Sequence, residues 1–176
     1  LVVPARGGMG RKVETQANTL AASFAKKLNG SYKLLHIPEN LSPEILDTLL
    51  KQPEVSEVIA SIQSADILIY GIGNAIEMAE KRGTSKEEIE KLKNFGAVGE
   101  AFGCYFDKES NVISHATTVG INISKVKSIN MNIAVAGGKN KIESVISIMR
   151  NNKNGILVTD EAIGKGIVRC FEDYKC

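Results

Sequence analysis

Asn132-Ile133-Ala134-Val135-Ala136-Gly137-Gly138-Lys139-Asn140-Lys141 carries the chain from an apolar run into an amphipathic one. Ile133 to Ala136 reads as a short buried strand. Ile142, Val145, Ile146 and Met149 then recur at helical spacing, so the two glycines mark a strand-to-helix junction. Such a junction aims backbone N–H groups and the positive end of a helix at one point, beside Lys139 and Lys141. A phosphate or a carboxylate suits that place. A plain tight turn with solvated lysines suits it too, and this stretch leaves both readings open.

Outward from the junction, strand-like and helix-like runs alternate. Val13, Ala17, Leu20, Ala21, Phe24 and Leu28 trace one face of a first helix, closed by Asn29-Gly30. Tyr32 to Ile37 reads as a strand. Ser42-Pro43-Glu44 starts a second helix with Ser as cap and Pro in its first turn. Pro53 restarts the chain into a third, over 55–63. Ala65 to Tyr70 is a continuous apolar strand of the kind buried on both faces. Thr84-Ser85-Lys86-Glu87 reads as a capping box opening a helix to Asn94. From Ala101 to Ile123 the helical pattern stops. Phe102–Phe106, Val112–Ala116 and the segment near Val119 read as short strands, with a hairpin-like turn at 107–111. Strand 130–136, helix 139–151, strand 155–158 and a helix from Asp160 resume the rhythm. The pattern predicts an α/β fold, a mostly parallel sheet with helices on both faces and a small β insertion.

Composition excludes several functions. A chain of 176 residues is one ordinary domain. Its net charge of +2, with no basic run, disfavours direct binding of nucleic acid, which needs a concentrated basic face. No apolar stretch approaches the ~20 residues that span a bilayer, so no membrane partner is expected. Cys104, Cys170 and Cys176 lack metal-ligand or CxxC spacing, and His36 and His115 lie far apart. No metal or other cofactor is therefore expected, and a reducing cytoplasm is the simpler setting. The opening Leu1-Val2-Val3-Pro4, without Met, reads as the end of a strand in a longer polypeptide.

In open parallel sheets, ligands bind where strands lead into helices, which selects four glycine-rich loops. Pro4-Ala5-Arg6-Gly7-Gly8-Met9-Gly10 offers backbone freedom and the donor fork of Arg6, with Gln16 further on. Tyr70-Gly71-Ile72-Gly73-Asn74 follows a buried strand but lacks the third glycine of a dinucleotide fingerprint. Arg82-Gly83 downstream could project a guanidinium into the same cleft. In Gly96-Ala97-Val98-Gly99-Glu100-Ala101-Phe102-Gly103, Glu100 is the one acid among small and apolar neighbours. It suits sugar hydroxyls or an ion pair with an arginine, and the sequence does not choose. The fourth loop is Gly137 to Lys141. Thr159-Asp160-Glu161 reads as a helix cap rather than a catalytic carboxylate pair. Cations at Arg6, Arg82, Lys139 and Lys141 with Glu100 and Gln16 suit a phosphorylated polyol, and no convincing general base accompanies them.

These blocks together resemble a family. VVPARGGMG with Gln16, Tyr70-Gly71-Ile72-Gly73, Gly96–Glu100 running into Cys104-Tyr105-Phe106-Asp107, Ile133–Gly138 with Lys141, and Val158–Ala162 stand in family order. They resemble the effector-binding domain of SorC/DeoR-type bacterial transcriptional regulators. The resemblance implies a Rossmann-like fold related to sugar-phosphate isomerases and glucosamine-phosphate deaminases, and binding of a phosphorylated sugar without turnover. It implies a single domain over 1–176, lacking its first strand and phosphate loop. It further implies a repressor of glycolytic genes whose effector, fructose 1,6-bisphosphate, changes assembly as a homo-oligomer (dimer or tetramer). Operator DNA would be bound only by an N-terminal domain absent from this chain. By position, Arg6, Gln16 and Arg82 would hold one phosphate, Glu100 the hydroxyls, and Gly138, Lys139 and Lys141 the other phosphate. The alternative expectation is an isomerase or deaminase acting on a sugar phosphate.

Overall fold

The residues described by a computed structural model, 1–7, 16–38, 41–115, 119–150, 152 and 154–173, divide into two units. One is Leu1–Asp66 with Ala116–Asn122, the other Ile67–His115 with Ile123–Cys176. Gly8 to Gly10 of the opening loop, Val13 of the first helix and Ala116 of the β insertion lie outside the described residues.

The first unit holds α1 (Ala17–Lys27), α2 (Pro43–Leu50) and α3 (Pro53–Gln63), the last two with proline in the first turn as the sequence predicts. Leu35 and Ile37 pack on Val58 and Ile62 of α3 to form its core. Tyr32 to Ile37 makes only an isolated parallel bridge, Val2 to Tyr32, and not the expected strand. Asn18 of α1 is the reason: its side chain accepts from Leu35 N at 2.9 Å and donates to Leu35 O at 3.0 Å, replacing a neighbouring strand. The same clamp turns Ala21 and Ala25 inward and leaves Leu20, Phe24 and Leu28 exposed. The segment near Val119 contributes another isolated bridge, Gly120 to Arg6, instead of a strand.

The second unit carries two sheets. A parallel sheet has the order β1 (Ile67–Gly71), β6 (Met131–Ala136), β7 (Ile156–Thr159). An antiparallel sheet runs β2 (Gly73–Asn74), β3 (Gly99–Ala101), β4 (Cys104–Phe106), β5 (Val112–His115). The helices are α4 (Ala75–Arg82), α5 (Lys86–Asn94), α6 (Ile142–Arg150) and α7 (Glu161–Glu172). Two buried serines of α6 pin it to the antiparallel part, Ser144 Oγ donating to Val98 O at 2.7 Å and Ser147 Oγ to Asp107 O at 2.6 Å. The mixed fold with a parallel sheet, flanking helices and a β insertion is the expected class.

Several elements depart from the sequence reading. The predicted strand Phe102–Phe106 is shortened to Cys104–Phe106, because Phe102 and Gly103 form the tight turn from β3 with positive φ of 56° and 81°. The α5 capping box is Ser85 with Glu88, one residue later than predicted, with Glu88 N donating to Ser85 Oγ at 3.2 Å. The expected helix 139–151 opens as a 3₁₀ turn over Lys139–Lys141. α4 is absent from the sequence reading, because its buried stripe is Ala75 and Ala79 and carries little hydrophobic signal. β1 is buried on one face only: Leu68 and Tyr70 are covered, whereas Ile67 and Ile69 are about half exposed, at 56% and 45%. No described helix is long and apolar enough to cross a membrane.

Candidate functional site

In the second unit, the carboxyl ends of β1 and β6 release the loops that the sequence singled out. β1 passes through Ile72 into β2, and Asn74 then caps α4, its Oδ1 accepting from Ile76 N at 3.1 Å and Glu77 N at 3.2 Å. The Asn74 amide donates to Asn140 O at 3.1 Å, and the Asn140 amide to Glu77 Oε1. The turn after β6 is thereby tied to the first turn of α4. Between them lies a cleft of about 190 Å³, lined by Gly71, Ile72, Gly73, Asn74, Glu77, Met78, Lys81, Glu100 and Lys141. A Cβ at Gly73 would stand 2.4 Å from Met78 Cγ, so Met78 would have to shift to admit a side chain there.

Glu100 enters from β3, where it stands opposite Gly73 on one side and Tyr105 on the other. Its Oε1 accepts from Arg82 Nη2 at 2.7 Å and from Gly103 N at 2.7 Å. Arg82 Nη1 donates to Tyr105 Oη at 2.9 Å, and the guanidinium carbon lies 5.5 Å from the centre of the Tyr105 ring. The pair is buried, with side-chain exposures of 12% for Arg82 and 6% for Glu100. Burial works against the Arg82 charge, but the Glu100 carboxylate and the Tyr105 hydroxyl outweigh it and hold the guanidinium pKa above its ordinary value. Of the two sequence readings of Glu100, the ion pair with an arginine is present, and the same carboxylate lines the cleft.

At the glycine turn, the backbone donor of Gly138 already has an internal anion. Gly138 N donates to Asp160 Oδ2 at 2.6 Å, while Asp160 Oδ1 accepts from Ile163 N at 2.9 Å as the cap of α7. The cap reading of Thr159-Asp160-Glu161 holds. The Asp160 carboxyl is held below its ordinary pKa by the Ile163 and Gly138 N–H groups, with Lys141 adding to the effect. Lys141 lines the cleft and is half-buried, whereas Lys139 is exposed and outside it.

Arg6 and Gln16 belong to the first unit. Arg6 sits in the bridge to Gly120, and Gln16 is the residue before α1, with no capping bond from its side chain. The second unit thus brings Glu100, Arg82 and Lys141 into one neighbourhood. It adds Asn74, Glu77 and Lys81, which sequence reasoning did not assign to the site. Asn74 followed three residues later by Glu77 is a helix-start spacing, and that signal could have placed α4 and with it Lys81. Among the described residues, no three His, Cys, Asp or Glu side chains are grouped to hold a metal ion.

The model of a sugar-binding domain family, Sugar-bind, matches residues 1–169. The chain is 43% identical over 171 residues to a central glycolytic genes regulator of Priestia megaterium, covering 97% of the chain and 50% of that protein. It is 41% identical over 169 residues to the central glycolytic genes regulator of Bacillus subtilis, with 96% and 50% covered. The chain therefore spans about half the length of these relatives. The crystal structure of a SorC family transcriptional regulator from Enterococcus faecalis superposes with a TM-score of 0.86 at 39% identity, covering 94% of the chain and 68% of that structure.

Proposed function

The chain belongs to the sugar-binding domain family of SorC/DeoR-type transcriptional regulators, and we propose that it is the effector-sensing part of a repressor of glycolytic genes. The observation that carries this reading is the cleft of the second unit, where Lys81 and Lys141 share one lining with the buried carboxylate of Glu100. Two lysine cations beside a braced carboxylate suit a phosphorylated polyol, the cations taking phosphate and the carboxylate accepting from hydroxyls. Identity above 40% to two central glycolytic genes regulators over almost the whole chain supports a role in the control of glycolytic genes, and fructose 1,6-bisphosphate is the ligand that the family resemblance implies.

In this reading Glu100 meets the sugar hydroxyls and Lys141, with Gly138 and Lys139 nearby, serves one phosphate. Effector binding acts by favouring one assembly state of a homo-oligomer, which requires unequal affinity for the two states. Operator DNA is bound by a part of the regulator that this chain does not contain, and the setting is the cytoplasm. Catalysis is not part of this reading. A sugar-phosphate isomerase needs a base in reach of the substrate, and the Asp160 carboxylate is committed to the Gly138 and Ile163 N–H groups while that of Glu100 is paired with Arg82.

A thermal melt with fructose 1,6-bisphosphate, fructose 6-phosphate and inorganic phosphate tests the reading. Ligand at a hundred times its dissociation constant adds about 2.7 kcal/mol and raises the midpoint by several degrees. A rise specific to the bisphosphate, with the sugar recovered unchanged, is the expected result. No rise, or a converted sugar, overturns it.

A further inference from the structure

We propose that Asn140 is a positioning residue for anion binding: its amide holds the Glu77 carboxylate off Lys81, which leaves the Lys81 ammonium to an anion entering the cleft. The use of Lys81 by an anion rests on the proposed function of the same cleft. Asn140, Glu77 and Lys81 are all residues to which the resemblance assigns no role.

Glu77 and Lys81 stand four residues apart on α4 with the acid on the N-terminal side, the favoured order for a helix ion pair. Asp47–Lys51 at the end of α2 and Glu161–Lys165 on α7 close pairs of this spacing. Among the described residues, Glu77 and Lys81 do not pair, although both line the cleft. Spacing alone does not decide the matter, since Glu87 and Lys91 of α5 share it and are also unpaired. What sets Glu77 apart is a competing donor. Asn140 Nδ2, on the turn after β6, donates to Glu77 Oε1.

The turn is built to present that donor. A carboxylate only accepts, so the Asn140 atom facing it is the amide nitrogen. The other end of the amide, Oδ1, lies 2.8 Å from the position a Cβ of Gly138 would take. Gly138, at φ 98°, supplies both the backbone conformation and the room for this orientation. The Asn140 backbone is held too, its O accepting from Asn74 Nδ2 at 3.1 Å. Glu77 thus meets a donor already in place through a charge-assisted bond, whereas pairing with Lys81 would freeze a long, exposed side chain. An anion in the cleft then reaches Lys81 without first breaking an ion pair.

The test is calorimetric titration of fructose 1,6-bisphosphate into the parent chain, Asn140→Ala, Glu77→Gln and the double variant. Asn140→Ala keeps the backbone tie to Asn74 and releases Glu77, so affinity is expected to fall about twofold, the worth of one helix ion pair. With Glu77→Gln present no carboxylate competes for Lys81, and adding Asn140→Ala is expected to leave affinity unchanged. Equal losses in both backgrounds would mean that Asn140 only braces the turn, and would overturn the inference while the proposed function stands. A parent chain that binds no bisphosphate overturns the proposed function instead. Acetylation of lysines by a limiting reagent, read by mass spectrometry against Lys91, then decides the release of Glu77 without any ligand. Lys81 should react about twofold more slowly in Asn140→Ala than in the parent, as a newly paired ammonium does, and the double variant should match Glu77→Gln. A Lys81 rate indifferent to Asn140→Ala overturns the inference whatever the titrations show.

Discussion

Glu100 and Asp160 are two carboxylates of the second unit that do similar work in opposite surroundings. Each accepts a backbone N–H across a turn, from Gly103 and from Gly138, and each has a second internal donor. Glu100 is buried, faces a guanidinium and is walled in by β2, β3 and β4. Asp160 is exposed and faces water on the glycine turn. In low dielectric the first arrangement is strong and unforgiving, whereas the second is screened and replaceable. The comparison predicts rigidity at the Glu100 corner and exchange at the Gly138 turn, where a ligand anion would compete with Asp160 for the Gly138 N–H.

The largest effect is expected from breaking the buried pair. Arg82→Met leaves the Glu100 carboxyl group without its cation in a corner where only 6% of its side chain is exposed. Removing one partner of a buried pair costs about 3–5 kcal/mol. Urea unfolding of Arg82→Met against the double variant Arg82→Met/Glu100→Gln checks this. The double variant, with no stranded charge, should recover most of the loss. A single variant within about 0.5 kcal/mol of the parent, the range of ordinary surface substitutions, would show that the corner is as forgiving as the Gly138 turn and dissolve the contrast.

The two corners also differ in how plainly the sequence announces them. Gly137-Gly138 with its lysines is the most visible motif in the chain, yet the Gly138 donor is bonded to Asp160 and Lys139 is exposed and not among the residues that line the cleft. Glu100 was legible as an acid out of place among small and apolar residues, and its ion pair was one of the two readings. What the sequence could not show was the geometry that commits Arg82 and frees Lys81, because α4 was missed. Ala75 and Ala79 bury the helix without marking a face. Phe102 hid the turn that supplies Gly103 N–H, since an aromatic residue at φ 56° is not what a turn signal leads one to seek. The strands β1, β6 and β7 and the helices α2, α3, α5, α6 and α7 were readable from periodicity and caps. Tyr32 to Ile37 was not, because its backbone partner is a side chain from α1.

Lys141 lies between the two corners in effect, lining the cleft with Glu100 and adding to the field at Asp160. Lys141→Ala is expected to weaken fructose 1,6-bisphosphate roughly tenfold, the worth of one charge-assisted bond. Lys139→Ala, an exposed residue outside the lining, is expected to change the same affinity less than twofold, within the small effects of surface charges. Calorimetric titration of the two variants sharpens the comparison. Equal losses would mean that the phosphate sits on the open turn rather than in the cleft.

The smallest effect is expected at Asp160, and its sign follows from linkage. The Ile163 and Gly138 N–H groups hold the folded pKa of Asp160 below that of the unfolded chain. A carboxyl depressed in the folded state contributes stability above the unfolded pKa, and the contribution is lost as pH falls through the folded value. Asp160→Asn keeps a capping oxygen for α7 and removes the charge together with the second oxygen, which accepts from Gly138 N. The parent should therefore be modestly more stable at pH 7, and the gap should close as pH drops below about 4, near the ordinary carboxyl range. Urea midpoints of parent and variant across pH 2.5–7 read this directly. The variant also decides whether the turn exchanges anions. Without the competing carboxylate at Gly138 N, the bisphosphate should bind modestly tighter, by less than Lys141→Ala weakens it. An affinity unchanged by Asp160→Asn would mean that Asp160 keeps its donor when ligand is bound, and that the turn, like the Glu100 corner, serves rigidity alone.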